Sequence, residues 1–114
     1  MSMEIKLQLP IPPSLNRKYI NNRFVVSSEW RSFKRTVSEI CQEQRVKPFT
    51  GEVGMEIVYY RPRKAGDIDN KLKAVLDSLQ GWAYEDDKQV AELSILRSDS
   101  QKKNPRMEVK IYEL

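Results

Sequence analysis

The stretch Ile68-Asp69-Asn70-Lys71-Leu72-Lys73-Ala74-Val75-Leu76-Asp77-Ser78-Leu79-Gln80-Gly81 decides the fold. Ile68, Leu72, Val75, Leu76 and Leu79 recur at helical spacing as one apolar stripe. The spacing predicts a helix from about Asp67 or Ile68 to Gln80. Gly81 suits its exit, because glycine tolerates the left-handed conformation in which helices commonly end. Asp69, Lys73 and Asp77 are spaced one helical turn apart and share the opposite face. On both sides the period changes to that of a strand. Upstream, Val53, Met55, Ile57 and Tyr59 alternate with Glu52, Gly54, Glu56 and Val58, and the run stops at Arg61-Pro62. Downstream, Val90 to Ile95 reads as a further long strand.

Outward from this strand-helix-strand unit, Ile5, Leu7 and Leu9 alternate with Lys6 and Gln8 as a half-buried strand. Pro10-Ile11-Pro12-Pro13 ends it, since proline cannot continue a ladder. Tyr19 to Val26 reads as a short hairpin turning at Asn21-Asn22, where Asn tolerates positive φ. Ser27 or Ser28 caps a helix with Glu29 in its first turn. Trp30, Phe33, Val37, Ile40 and Cys41 form its apolar face, and it ends before Pro48. Ser98 to Pro105 is a polar loop, and Met107, Val109 and Ile111 mark the last strand. The expectation is a single α+β domain over residues 1–114. It has one mixed sheet of about four main strands, a short hairpin and two packed helices.

Composition narrows the chemistry. The 114 residues carry 20 Lys and Arg against 16 Asp and Glu, a net charge of +4 that favours an anionic partner modestly. There is no His, which excludes a His general base, a Ser-His-Asp triad and a His metal site. One cysteine, Cys41, excludes an intramolecular disulfide and a Cys zinc site, and its place is in a helix as a small apolar residue. No apolar run reaches the length of a membrane span and no signal-peptide pattern opens the chain, so a cytoplasmic setting is expected. Carboxylates, Lys, Arg, hydroxyls or a bound metal must carry any catalysis.

Two acidic clusters flank the decisive helix: Asp67-Ile68-Asp69 at its start, and Glu85-Asp86-Asp87 ahead of the next strand. Carboxylates converging within a basic protein repel phosphate unless a divalent cation sits among them. With the cation they form the metal centre of a phosphodiester-cleaving enzyme. Hard Mg²⁺ prefers oxygen ligands and keeps waters, so two or three carboxylates suffice. Lys73, one turn after Asp69, is placed to stabilise charge on the phosphate or the leaving oxygen. The same residues have ordinary readings too. Asp67 and Asp69 suit a cap and a first-turn helix acid, Lys73 an ion pair along the helix, and Glu85 to Asp87 a solvated turn. Arg61, Arg63 and Lys64 either hold flanking phosphates or form a solvated basic loop. A calcium EF-hand fits poorly, because Lys71 and Leu72 stand where that loop needs a ligand and a glycine. The two clusters meet only if the chain after Gly81 returns along the helix. Trp82 and Tyr84 either pin it there or belong to the core.

Three segments together resemble the RusA family of Holliday junction resolvases, small phage and prophage endonucleases. They are Pro10-Ile11-Pro12-Pro13-Ser14-Leu15-Asn16-Arg17-Lys18-Tyr19, then Asp67-Ile68-Asp69-Asn70 with Lys73, and Asp86-Asp87-Lys88-Gln89-Val90. The resemblance implies that Asp67, Asp69 and Asp87 bind Mg²⁺, with Mn²⁺ as a substitute, and are catalytic. It gives Lys73 the family's essential lysine position and leaves Asp86 a secondary member of its pair. Asn16, Arg17, Lys18, Arg61, Arg63, Lys64, Asn70, Lys102 and Lys103 are then the expected DNA contacts. The implied partners are a four-way DNA junction and a second copy of the chain, with no membrane and no organic cofactor. A homodimer makes chemical sense, since paired nicks on a two-fold symmetric junction need two related sites. Gly66 and Leu15 depart from the family pattern, which bears on DNA contacts more than on the metal site. Two other functions stay open: a non-cleaving junction- or DNA-binding protein, and an Asp-x-Asp metal enzyme acting on a small nucleotide. The sequence has no Gly-rich phosphate loop to support the latter.

Overall fold

Alternating apolar residues build a four-stranded mixed sheet in the order β1-β4-β2-β3. The strands are β1 (Glu4–Leu9), β2 (Val53–Tyr60), β3 (Val90–Ser98) and β4 (Arg106–Glu113). The computed structural model describes residues 3–14, 18–19, 26–61, 69–101 and 103–114, with Asp69 and Asn70 described by backbone alone. β4 is antiparallel to both β1 and β2, whereas β2 and β3 are parallel. The register aligns Leu7, Val109, Ile57 and Ile95 in one row across the sheet. A parallel pair needs a crossover, and α2 (Asp69–Leu79) lies within it.

The helices supply the second layer. α1 (Ser28–Glu43) is capped by Ser27, whose hydroxyl accepts the Trp30 N–H at 3.3 Å. That cap satisfies one of the free donors at the helix start. Trp30, Phe33, Val37 and Cys41 are buried and Ile40 is half-buried, as the spacing predicts. α1 packs on α2 and β1. From α2, Ala74, Val75, Ser78 and Leu79 are buried, with Leu72 and Leu76 packed at the margin. Each fully buried Val or Leu contributes about 1.5–3 kcal/mol, so this stripe rather than helix propensity holds α2 in place. Burial pushes the Cys41 thiol up to about 11, which leaves it an unreactive core group.

The structure redraws three boundaries. α2 ends at Leu79 rather than Gln80, because Gly81 (φ 89°) turns the chain and its N–H bonds the Tyr84 carbonyl at 2.7 Å. β3 runs past Ile95 to Ser98, since Leu96, Arg97 and Ser98 continue the register against Val58, Tyr59 and Tyr60. The connecting loop accordingly starts at Asp99. Tyr19 pairs with Val26 as the hairpin reading expects, while its turn at Asn21-Asn22 lies outside the described residues. Among the described residues no helix is long and apolar enough to cross a membrane.

Candidate active site

The site begins with the turn after α2. Beyond Gly81 the chain doubles back: Trp82 and Ala83 donate to the Leu79 carbonyl at 3.0 and 2.9 Å. Tyr84 is fully buried, and its hydroxyl donates to the Leu76 carbonyl at 2.8 Å. Tyr84 is therefore both core and pin, and it aims the following residues back along α2. Trp82 is half-buried against the same core.

Residues 85–89 are then locked by one side chain. The Gln89 amide oxygen accepts the Glu85 and Asp86 N–H groups at 2.9 and 3.0 Å. Its amide nitrogen donates to the Phe49 and Gly51 carbonyls at 2.8 and 2.9 Å. Asp86 caps the single 3-10 turn Asp87–Gln89, accepting the Lys88 N–H at 2.9 Å. This reciprocal pairing is a capping box. It divides the two neighbouring acids: Asp86 is spent on the backbone, and Asp87 faces α2.

Opposite Asp87 stands Lys73, whose Nζ lies 3.8 Å from Asp87 Oδ2 and 3.1 Å from Asp77 Oδ1. The other oxygen of Asp77 is 3.6 Å from Lys18 Nζ. Lys18 also sits over the rings of Trp30 and Tyr19, at 5.1 and 5.2 Å, within cation–π range. Trp30 is fixed in turn by its indole N–H, which donates to the Ser14 carbonyl at 3.0 Å. The result is a chain of alternating charges, Lys18–Asp77–Lys73–Asp87, along one face of α2. The hydrogen bond to Asp77 and then its charge hold the Lys73 ammonium above the ordinary lysine range, with a smaller contribution from Asp87. Burial raises the Tyr84 hydroxyl, and the charges of Asp87 and Asp77 raise it further.

Several expected site residues meet here. Lys73, Asp87 and Lys18 converge, and the backbone of Asp69 stands one turn ahead of Lys73, roughly 6 Å along the axis. Asp67, Asn16, Arg17, Arg63, Lys64 and Lys102 lie outside the described residues, as do Gly66 and Leu15, and Asn70 is described by backbone alone. One expected DNA contact is seen in an ion pair. Arg61 is buried, and its guanidinium is forked on Asp99, with Nε at 2.9 Å and an Nη at 3.0 Å from the two carboxylate oxygens. It closes the far ends of β2 and β3. Lys103 is exposed in the β3–β4 loop, beyond the end of β3 opposite Asp87. The strand between spans roughly 26 Å at about 3.3 Å per residue. Two contributors went unassigned in the sequence: Gln89, readable from the Asp86-x-x-Gln89 capping spacing, and Asp77, readable as the residue one turn beyond Lys73.

The donor set suits a hard divalent cation, because every candidate ligand is a carboxylate. Asp87 is half-buried, enough to lower solvent screening while leaving an oxygen reachable. Among the described residues no three Asp, Glu, Cys or His side chains form a complete metal cluster.

The endodeoxyribonuclease RusA family matches residues 10–112. The crossover junction endodeoxyribonuclease rusA of Enterobacteria phage HK97 is 30% identical, covering 97% of this chain and 96% of its own length. An uncharacterised protein of Bacillus subtilis strain 168, YqaN, is 30% identical over 72% of each chain.

Proposed function

The chain belongs to the RusA family of endodeoxyribonucleases, and from that premise we propose that it resolves four-way DNA junctions by paired nicks that depend on Mg²⁺. One observation carries the reading. The turn after α2 returns along the helix and brings Asp87 to within 3.8 Å of Lys73, which stands one turn beyond Asp69. In this proposal Asp67, Asp69 and Asp87 hold the cation, with Mn²⁺ as a substitute. When bound, the cation supplies a water of lowered pKa and offsets charge on the phosphoryl group. Lys73 presents a protonated ammonium to the scissile phosphate and stabilises charge on its oxygens as the bond to the leaving oxygen breaks. Lys18, Asn16, Arg17, Arg63, Lys64, Asn70, Lys102 and Lys103 are the proposed DNA contacts, and the working compartment is the cytoplasm.

The same proposal makes the active form a homodimer. β3 is an edge strand, and Leu93 and Leu96 on it are 42% and 65% exposed. An edge strand with exposed leucines is a template for a second strand. Pairing two copies across a two-fold axis would match the symmetry of a junction. Light scattering should give twice the 13.4 kDa chain mass, falling to one copy for Leu96→Asp. A monomer at concentrations that cut junctions would remove this part of the reading.

The deciding experiment is cleavage of a labelled synthetic four-way junction, with and without Mg²⁺, beside a matched linear duplex. Symmetric nicks on the junction alone, and only with metal, are expected. Tight binding without nicks would favour a non-cleaving junction binder. Neither binding nor nicks would return the small-nucleotide enzyme to consideration.

A further inference from the structure

The geometry points to Asp77 as a positioning residue that holds Lys73 towards Asp87 and ties the segment around Lys18 to the same centre. The inference rests on the resolvase reading of Lys73 and Asp87. Its basis is a carboxylate shared by two lysines: Oδ1 is 3.1 Å from Lys73 Nζ, and Oδ2 is 3.6 Å from Lys18 Nζ. Lys73 is half-exposed and has a long flexible stem, so without a fixed partner its ammonium would sample many rotamers. With Asp77 behind it, the ammonium is drawn to one side of the helix, where Asp87 lies 3.8 Å away.

Helix stability does not explain Asp77. It lies in the last turn of α2, where the free carbonyls make negative charge unfavourable, and that turn carries no basic residue. Its pairing with Lys73 also runs in the weaker direction, with the cation N-terminal to the acid. An acid placed against the dipole, in the less favourable orientation, is better explained by what it holds. It holds Lys73 on one side, and on the other a Lys18 already packed over Trp30. Through Lys18 the N-terminal segment, anchored where the Trp30 indole meets the Ser14 carbonyl, becomes part of the same constellation.

The two accounts predict opposite results for Asp77→Asn. A structural salt bridge would lose thermal stability and leave the cleavage rate of the folded fraction intact. A positioning residue should leave Tm unchanged or slightly raised and junction affinity unchanged or tighter. Its single-turnover cleavage at saturating enzyme should fall about ten- to hundredfold, the scale of a small misplacement of a reacting group. Asp77→Glu, which keeps the carboxylate one methylene further out, should recover part of the rate. Cleavage by Asp77→Asn within twofold of the unaltered chain would overturn the inference. So would a lowered Tm whose rate loss disappears on cooling. The two readings fail separately. If the unaltered chain binds junctions and does not cut them, the resolvase reading falls; if it cuts and Asp77→Asn cuts equally well, only the role of Asp77 falls.

Discussion

The parallel pair β2 and β3 has a cluster of charge at each end, and the two clusters are built differently. Where both strands finish, Arg61 and Asp99 form a bidentate pair at 2.9 and 3.0 Å, with Arg61 buried. Where β3 begins, Lys73, Asp77, Asp87 and Lys18 stand 3.1–3.8 Å apart, partly exposed, and two of them serve two partners each. Two matched parallel hydrogen bonds fix both groups in one geometry. Looser contacts in reach of water leave charges that a phosphate or cation can recruit. Geometry separates a locked pair from a looser, more accessible cluster here, although both look equally ionic in the sequence.

Removing one charge from each end tests that contrast. At the β3 start, Asp87→Asn should lower junction cleavage by roughly a thousandfold or more, as loss of a metal-holding or charge-stabilising group does. Junction binding should hold or tighten with the lost negative charge, and Tm should barely move, because Asp87 has no backbone partner through its carboxylate among the contacts seen. A variant that cuts normally would break the comparison at its functional end.

At the other end, Asp99→Ala should lower Tm by several degrees, since the buried guanidinium of Arg61 is left without its forked partner. Cleavage measured well below that Tm should stay within a few-fold of the unaltered chain. A large loss of cleavage without loss of stability would show that Arg61 and Asp99 reach the DNA, as the sequence led one to expect of Arg61.

The layout of the sheet was legible because it rests on periodicity. Val53, Met55, Ile57 and Tyr59 fall at alternate positions and are all buried, and Val75 and Leu79 on α2 fall where a helix must bury them. The site was legible only in pieces. Asp69, Lys73 and Asp77 share a face by spacing alone, but nothing local says that Asp87 reaches that face. Its placement depends on Tyr84 finding the Leu76 carbonyl and on Gln89 finding Phe49 and Gly51, contacts across 8, 40 and 38 residues. Such long-range bonds leave no periodic trace. The pairing of Arg61 was illegible for the same reason: its partner lies 38 residues away, and a basic residue beside Arg63 and Lys64 looks like part of a phosphate-binding run.

The smallest predicted effect is also the most discriminating, because it concerns the neighbour of the residue with the largest. Asp86 accepts the Lys88 N–H as the cap of the 87–89 turn. Asp86→Ala should therefore cost about 1 kcal/mol of stability, the usual loss for such a cap. Cleavage should drop only a few-fold, since Gln89 still clamps the Glu85 and Asp86 N–H groups and keeps Asp87 in register. Asp86→Asn or Asp86→Ser, either of which can still accept a backbone N–H, should restore the stability and the rate together. If Asp86→Asn keeps its Tm and loses cleavage as fully as Asp87→Asn, then the carboxylate charge at Asp86 matters. The division of labour between these adjacent acids would fail, and the metal centre would have to include both.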